Sequence, residues 1–479
     1  MPRRAERFDH RPSPEGGMGR IFDNGATRAR ARAWGWWLAF GAAWMAAAWA
    51  NLAAGPWLWI GLWGALALGS RLILVRRQPP KIPVLNYHSV SAHPEWLRIA
   101  DRLSLAPAVF ERQLAYLQRH GYRTLFISEA RRVLSGEAPL PPGEKCVALT
   151  FDDGYADNWI AALPLLKKYG LKATVFVSTA FVADAAACRP TIEGLAAEQW
   201  SSLDWSGYLT WPELKAMQAS GRIEIQSHGH EHTRVFAGPR VRGFAGPGRA
   251  NLWLFWNRRP EARRSWWREI DAERSWWGHP LYEQAPALAQ RAYRPDLAAV
   301  SHMLSWAQAS QAFAAPDWER RLREEWVRYR REHGPRDAWE SVADYERRVE
   351  RDLTEARRTL AEKLGVQSDV LCWPENAFSE AGERIARRAG YVATVSNRHA
   401  TTNAVGEAPD RIVRVFIGSP AAGVRSELLD FAAFVLELKV FEGWYLLYPP
   451  LALLHGARKF ALGMKRHGVC RRDGWSIWR

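Results

Sequence analysis

The chain has 479 residues, enough for two or three ordinary domains, and its formal net charge is +16 at pH 7. This charge predicts an anionic partner, such as a membrane surface, a lipid phosphate or nucleic acid. Nucleic acid is disfavoured because the arginines are spread along the chain and no zinc finger, basic zipper or RNA-binding signature occurs. The four cysteines form no C-x-x-C pair, which excludes a zinc knuckle or a thiol redox motif of that kind.

The N-terminal region predicts attachment to a membrane. Residues 1–33 are polar, rich in Arg, Pro and Gly, and predicted to be disordered. Two apolar segments, 34–54 and 57–75, follow, and each approaches the ~20 residues that span a bilayer. Because arginines flank both outer ends, residues 34–77 are predicted to form a transmembrane helical hairpin in the inner (cell) membrane. The positive-inside rule then places everything after residue 77 on the cytoplasmic side.

Two other arrangements of this region stay open. A re-entrant or interfacial hairpin would leave the same sidedness, whereas a single signal-anchor helix would place the rest of the chain outside. A cleaved signal peptide is disfavoured because the apolar region is too long and no A-x-A cleavage site stands out.

The next part of the chain alternates between strand and helix patterns. Predicted strands are Val84–Tyr87, Thr124–Ile127, Val147–Thr150, Ala173–Ser178 and Ile223–Gln226, and predicted helices are Pro107–Tyr122, Ser128–Leu134, Trp159–Tyr169 and Pro212–Ala219. After an interruption the alternation resumes with predicted helices Glu340–Leu364 and Ser379–Ala389 and strands Asp369–Trp373, Val392–Ser396 and Arg411–Ile417. The pattern indicates a parallel α/β sheet or barrel, in which catalytic groups gather where strands end.

Two segments stand outside this alternation. Residues 237–338 are rich in Trp and Arg and are predicted to form a mainly helical insertion. The insertion is either a lid over a site or a packing subdomain whose tryptophans form its own core. Residues 421–479 form a basic C-terminal segment, in which the apolar stretch Gly443–Leu454 contains two prolines. Interfacial contact with a membrane is the favoured interpretation, and an ordinary core element is the alternative.

The residues with the strongest chemical pattern surround the third predicted strand. Asp152 and Asp153 are adjacent at its end, where mutual repulsion should separate their pKa values. One carboxylate can then bind a metal while its neighbour acts as a general base. His228 and His232 lie four residues apart just after a later strand. With one carboxylate of the pair they supply the three protein ligands that a hydrolytic metal site needs.

These motifs resemble those of a known family. T-F-D-D-G (150–154) and S-H-x-x-x-H (227–232) are similar to the first two motifs of the polysaccharide deacetylases, the NodB-type carbohydrate esterases of family four. The strand I-P-V-L-N-Y-H (82–88) resembles the start of many members. The resemblance covers about 80–236 and 340–418. It implies a distorted (β/α) barrel, a divalent metal (usually zinc) and hydrolysis of an N-acetyl group on a sugar.

The resemblance also assigns roles to single residues. It implies that Asp152 is the catalytic base and that Asp153, His228 and His232 are the metal ligands. Where the family's third motif usually offers R-P-P-Y, this chain has C-W-P-E-N (372–376), which lacks the arginine that would orient the base.

Two catalytic roles therefore need other residues. Arg414, on the last predicted strand, is the candidate to replace the missing arginine, and a surface ion pair is its alternative. The late histidine that often acts as general acid has no clear counterpart. His88, at the end of the first strand, is the preferred candidate for the acid or for substrate binding, and His230 and His455 are alternatives.

The sequence thus predicts a membrane-anchored, zinc-dependent enzyme that removes N-acetyl groups from a lipid-linked saccharide or an envelope polysaccharide. Tryptophan faces suit sugar rings and arginines suit phosphates. The alternatives are a non-catalytic sugar-binding component of a polysaccharide synthesis complex, and a deacylase of another amide such as a formamido sugar. The sequence leaves the identity of protein partners open.

Overall fold

The computed structural model describes residues 42, 64–65, 80–98, 100–397, 403–406, 410–418, 420–424, 426–444 and 447–466. The predicted disordered segment, 1–33, lies outside these residues, and so does the predicted hairpin, 34–77, apart from three of its positions. Within the described part of the chain, no helix combines the length and the apolar character needed to cross a bilayer. The hairpin and the cytoplasmic placement that depends on it stay predictions.

The main sheet of the described residues contains nine strands, all paired in parallel. In chain order they are β1 (Val84–Tyr87), β2 (Tyr122–Leu125), β3 (Lys145–Phe151), β4 (Ala173–Val177), β5 (Ile223–Ser227), β6 (Val370–Cys372), β7 (Ala393–Ser396), β8 (Arg411–Val413) and β9 (Val415–Phe416). Their order in space is β8-β7-β6-β5-β4-β3-β1-β9, and β2 pairs with β3 outside this path. The predicted strand Thr124–Ile127 is therefore displaced by two residues, because Ile127 already begins a helix.

A single residue joins the two ends of this sheet. β8 and β9 lie at opposite ends of the strand order, yet only Arg414 separates them in the chain. This extended segment pairs with β7 through its first half and with β1 through its second half. The sheet therefore curls into a nearly closed parallel barrel, which confirms the predicted (β/α) barrel.

Side chains of β3 alternate between two faces of the barrel wall, as the two-residue period of a strand requires. Val147, Leu149 and Phe151 pack in the cluster between sheet and surrounding helices. Cys146 and Ala148 belong to a second cluster, which includes Phe176 of β4 and Ile412 of β8. The inward series continues to Asp152, so the strand's own geometry points this carboxylate into the barrel.

Helices connect and cover the strands. They are Ala100–Leu103, Pro107–Arg119, Ile127–Leu134, Leu163–Tyr169, Trp211–Ala219, Leu252–Arg258, Trp266–Glu269, Leu297–Ala309, Trp318–His333, Val342–Leu364, Glu380–Arg388, Glu427–Phe441 and Tyr448–Arg466. Their ends follow local chemistry: the helix Val342–Leu364 is capped by the hydroxyl of Ser341 and ends at Gly365, which has a φ angle of 68°.

The insertion contains more strand than its sequence predicts. Helices are its commonest regular element, but it opens with a long strand, Arg234–Phe244, that pairs antiparallel with Pro280–Pro286 across intervening helices. This strand begins three residues before the predicted boundary at 237. Its first strand is rich in arginine and lacks the clear alternation of apolar and polar residues that predicts a strand. Its pairing partner lies about forty residues away in the chain, so no tight turn marks the pair either.

The C-terminal segment forms two helices that pack together, Glu427–Phe441 and Tyr448–Arg466. The two prolines that were expected to interrupt the apolar stretch instead lie in the first turn of the second helix, where proline is tolerated. Leu451 of this helix is buried, while Leu453 and Phe460 are 71% and 68% exposed. The helix therefore contributes to the fold and also presents an apolar face.

Candidate active site

The carboxylates of Asp152 and Asp153 leave the end of β3 in different directions. The amide of Asp152 donates to the carbonyl of Tyr87 at 3.0 Å, so Asp152 still belongs to the strand ladder. Asp153 and Gly154 have φ angles of 69° and 70°. Aspartate tolerates this left-handed region better than most residues, and glycine enters it freely. The turn points Asp152 into the barrel and Asp153 toward the residues that follow β5.

Arg414 binds Asp152 inside the barrel. Its Nη1 and Nη2 donate to Oδ1 and Oδ2 of Asp152 at 2.6 and 2.8 Å, and Arg414 is only 1% exposed. Burial alone would raise the pKa of Asp152, but attraction to Arg414 and His228 holds it below its ordinary value. The carboxylate is thus ionised at neutral pH and held in one orientation. Arg414 is a buried partner of Asp152 and not the surface ion pair that was its alternative.

Three side chains form a candidate metal site next to this pair. Oδ1 of Asp153 lies 3.3 Å from Nε2 of His228 and 3.2 Å from Nε2 of His232. The donor atoms of all three residues lie within 4.8 Å of one another. Burial works against ionisation of Asp153, yet the two histidines lower its pKa well below the ordinary value.

The local chemistry fits a divalent metal. Nδ1 of His228 lies 2.9 Å from the carbonyl of Cys372, and donation there orients the ring and leaves Nε2, on the Asp153 side, available as a metal ligand. Two histidine nitrogens and one carboxylate oxygen, all lining one cavity, match a hydrolytic site that keeps a position open. These are the three residues that the sequence resemblance implied, and the fold brings them together.

A second set of donors overlaps this one but fits less well. Asp152, His228 and Cys372 also approach within 4.8 Å of one another. However, Asp152 is already bound to Arg414, and burial raises the pKa of the Cys372 thiol well above its ordinary value. Because Arg414 already binds both oxygens of Asp152, the set that contains Asp153 is favoured. Cys372 was not among the predicted site residues, yet its sulfur lies 3.5 Å from Oδ1 of Asp152.

His88 lies beside the candidate base. Its Nε2 is 3.8 Å from Oδ2 of Asp152, and its ring meets the edge of Phe416 at 5.7 Å between centroids. Burial lowers the pKa of His88 below its ordinary value, although Asp152 and Asp153 oppose this shift. The imidazole is therefore neutral at pH 7, and a role as general acid requires that it first gain a proton.

The other candidate histidines point elsewhere. Nδ1 of His230 pairs with the hydroxyl of Thr179 at 2.8 Å. His455 forms an ion pair with Glu437, with Nε2 2.8 Å from Oε1, on the paired C-terminal helices. Neither histidine lines the cavity that contains the candidate metal ligands. His88 thus has the only geometry among the three that suits proton transfer at the site.

The cavity has a volume of about 390 Å³. One wall consists of aromatic side chains from the insertion, with Trp253, Trp256 and Trp266 among them. The ring of Trp253 is nearly parallel to that of His232, at an angle of 17° and 6.2 Å between centroids. The same tryptophans pack in a cluster that also contains Leu97, Tyr155, Phe181 and Tyr208 from outside the insertion. This aromatic cluster therefore joins the insertion to the barrel and forms a wall of the cavity.

The loop at C-W-P-E-N is held by a partner from the insertion. Glu375 and Asn376 have φ angles of 53° and 57°, which is unusual for these residue types in succession. Arg234 donates through Nε to both carboxylate oxygens of Glu375, at 2.8 and 3.1 Å, and both side chains are less than 10% exposed. Asn376 in turn lies 3.4 Å from Nη2 of Arg414. No local sequence signal reveals this pair, because 141 residues separate its members.

Comparison with known proteins identifies part of the chain. Residues 140–249, which contain both aspartates and both histidines of the site, match the family model described as polysaccharide deacetylase. This segment is a polysaccharide deacetylase domain. The match confirms the resemblance inferred from the motifs.

Curated relatives of the deacetylase domain share its name. The chain is 35% identical over 158 residues to YxkH of Bacillus subtilis, named a polysaccharide deacetylase; the match covers 33% of this chain and 46% of YxkH. It is 28% identical over 160 residues to a poly-beta-1,6-N-acetyl-D-glucosamine N-deacetylase of Escherichia coli O157:H7, with 33% and 22% covered. The chain thus spans less than half the length of these relatives.

Two solved structures are similar to this chain. A de-N-acetylase from Aggregatibacter actinomycetemcomitans is 18% identical with a TM-score of 0.44, and the match covers 73% of this chain and 99% of that one. IcaB from Ammonifex degensii is 19% identical with a TM-score of 0.42, with 74% and 97% covered.

Proposed function

We propose that this protein is a metal-dependent hydrolase that removes N-acetyl groups from a saccharide. One arrangement carries the proposal: the candidate ligands Asp153, His228 and His232 line the same cavity as Asp152, whose carboxylate Arg414 holds in place. The deacetylase domain and the N-deacetylase names of its relatives support the same reaction.

The residues of the chain divide the reaction among them. Asp153, His228 and His232 would hold a divalent metal, for which zinc is our expectation, and the metal would supply Lewis acidity at the acetyl carbonyl. Asp152 accepts the proton of the attacking water, and the two hydrogen bonds from Arg414 keep its carboxylate oriented for that transfer. His88 is our candidate to donate a proton to the leaving amine, and Asp152, 3.8 Å away, is positioned to pass one to it.

The test is acetate release by the purified protein from N-acetylglucosamine oligomers. We expect activity that is lost on chelation, restored by zinc and absent from Asp152→Asn. A protein that binds these sugars but releases no acetate would instead be the non-catalytic component of a synthesis complex. Release of formate but not acetate from matched amides would favour a formamido sugar as substrate.

The substrate that we favour is lipid-linked or an envelope polysaccharide, processed at the inner membrane on its cytoplasmic side. Support comes from the hairpin pattern at 34–77 with its flanking arginines, from the net charge of +16, and from the exposed Leu453 and Phe460 on a basic helix. A reporter that works only after export, fused after Arg77, should be silent. Activity of that reporter would place the residues after Arg77 outside the cytoplasm and contradict the proposed cytoplasmic side.

A further inference from the structure

We propose that Arg102 and Arg458 form a binding site for an anionic group, phosphate or carboxylate, on the saccharide substrate. The inference rests on the proposed function, because it places this anion next to the sugar that is deacetylated. Both arginines line the cavity that contains the metal ligands, and both are partly buried. Their helices, Ala100–Leu103 and Tyr448–Arg466, lie at opposite ends of the described chain.

Phe416 and Gly418, at and just after the end of β9, lie against the segments that carry the two arginines. The guanidinium carbon of Arg458 lies 5.2 Å from the centroid of the Phe416 ring. Gly418, two residues on, packs so closely against Arg102 that an added Cβ would lie 3.0 Å from its carbonyl oxygen. The Phe416 ring also lies 5.7 Å from the ring of His88 between centroids. Arg458 and the backbone of Arg102 therefore lie near Phe416, on the His88 side of the cavity.

Charges in the cavity wall do not already neutralise Arg102. The wall carboxylates Asp152 and Glu375 are bound by other arginines, Arg414 and Arg234. Asp153 faces the two histidines. Among the residues that the structure describes, Arg102 has no carboxylate within ion-pair distance.

A third cavity arginine has a different environment. Arg98 pairs with the exposed Asp271 at 2.6 Å and lies over the ring of Trp266. It therefore belongs to the aromatic wall, and we leave it out of the proposed site.

The chemistry of the ligand follows from this layout. A guanidinium group binds phosphate or carboxylate through a planar fork of donors, and two of them at one edge of a partly enclosed cavity favour a charged oxyanion over a neutral hydroxyl. The tryptophan wall suits the face of a sugar ring. We therefore expect a saccharide that carries a negative charge near its N-acetyl group, through either a sugar phosphate or a uronic acid.

Three substrates distinguish these cases: N-acetylglucosamine 1-phosphate, its neutral methyl glycoside, and a disaccharide of N-acetylglucosamine with glucuronic acid. We expect kcat/KM of the wild-type protein to be at least about tenfold higher on a charged substrate than on the neutral one, as charge-assisted hydrogen bonds allow. Arg102→Gln and Arg458→Gln should reduce that preference by raising KM on the charged substrates at least about tenfold more than on the neutral one. The better of the two charged substrates names the source of the anion.

Arg320→Gln is the matched control, because Arg320 is an exposed arginine in surface ion pairs on another helix. Equal kcat/KM on charged and neutral substrates, or an equal loss on both in the two variants, would refute the anion site while acetate release still supports the deacetylase function. Calorimetric binding of the sugar phosphate gives a readout without catalysis. Binding that Arg102→Gln abolishes supports the site even if no acetate is released, and binding that neither variant weakens refutes it.

Discussion

Arg414 lies where the barrel closes and also orients Asp152, the candidate base. As the single residue between β8 and β9, it lies at the point where the two ends of the sheet meet, and its guanidinium group makes two hydrogen bonds to Asp152, 262 residues away in the chain. Closure of the barrel thus also assembles the base. Arg414 therefore makes the contact with Asp152 for which the C-W-P-E-N loop offers no arginine.

Substitution of Arg414 should separate stability from activity. Arg414→Met leaves a buried carboxylate without its partner, so we expect a loss of about 3–5 kcal/mol in the free energy of unfolding. The double variant Arg414→Met/Asp152→Asn removes both charges and should recover much of that stability without recovering activity. Urea unfolding and acetate release measure the two effects. A double variant as unstable as the single one would contradict the importance of the charge pair.

Arg414→Lys should keep the positive charge but lose the two-pronged geometry. We expect a fall in kcat of about 100-fold, as for a misplaced catalytic group, with little change in KM. Steady-state kinetics on an N-acetylglucosamine oligomer checks this split.

The metal ligands can be tested against a neighbour in the same stretch. His228→Gln and His232→Gln should lose bound zinc on dialysis, because a site with two protein ligands holds the metal weakly. His230→Gln should retain it, since His230 faces Thr179 and not the cavity. Zinc content by mass spectrometry gives the answer without an activity assay. Equal zinc loss in all three variants would argue against the assigned set.

The role of His88 depends on the leaving group. An amine must be protonated before it leaves, whereas 4-nitrophenolate leaves without a proton. His88→Gln should therefore slow deacetylation of the sugar amide by about 100-fold or more while changing hydrolysis of 4-nitrophenyl acetate less than about threefold. Parallel rates on the two substrates give the comparison. An equal loss on both would indicate that His88 binds substrate or supports the fold.

The buried ion pair between Arg234 and Glu375 should contribute more to the free energy of unfolding than an exposed ion pair does. Glu375→Gln leaves the buried guanidinium without its carboxylate and removes the contact that holds a loop with two left-handed residues. We therefore expect a loss of about 3–5 kcal/mol in the free energy of unfolding. Glu324→Gln breaks an exposed pair with Arg320 and should change stability by less than about 1 kcal/mol. Urea unfolding compares the two variants.

The pH dependence of stability should report on His279, which is buried within the insertion. Burial lowers its pKa from 6.5 to about 4, while its Nδ1 pairs with the carbonyl of Pro280. Between these two pH values the unfolded state binds the proton and the folded state does not, so folding stability falls as the pH decreases from 6.5 to 4, by up to about 3 kcal/mol.

His279→Gln should make this pH dependence less steep, whereas His120→Gln, at an exposed position, should leave it unchanged. Thermal or urea unfolding measured across that pH range provides the comparison. Identical slopes for the wild type and His279→Gln would show that His279 does not carry the effect.

The barrel and the core of the site were predictable because their signals are local. Strand and helix periods depend on neighbouring residues, and the D-D-G and H-x-x-x-H spacings place ligand atoms at the ends of single strands. The antiparallel strand pair of the insertion and the ion pair between Arg234 and Glu375 were not predictable in this way. Their partners are far apart in the chain, and long-range pairing leaves no periodic mark on either segment.

The sequence by itself determined the strand–helix alternation and, through its resemblance to the deacetylase motifs, the candidate base and ligands. These signals depend on residues within one turn or one strand end. Only the tertiary structure decided which arginine serves Asp152, that the tryptophans of the insertion face the cavity, and that Arg102 and Arg458 share its rim. These relationships arise when the sheet closes on itself and brings together residues that no local pattern connects.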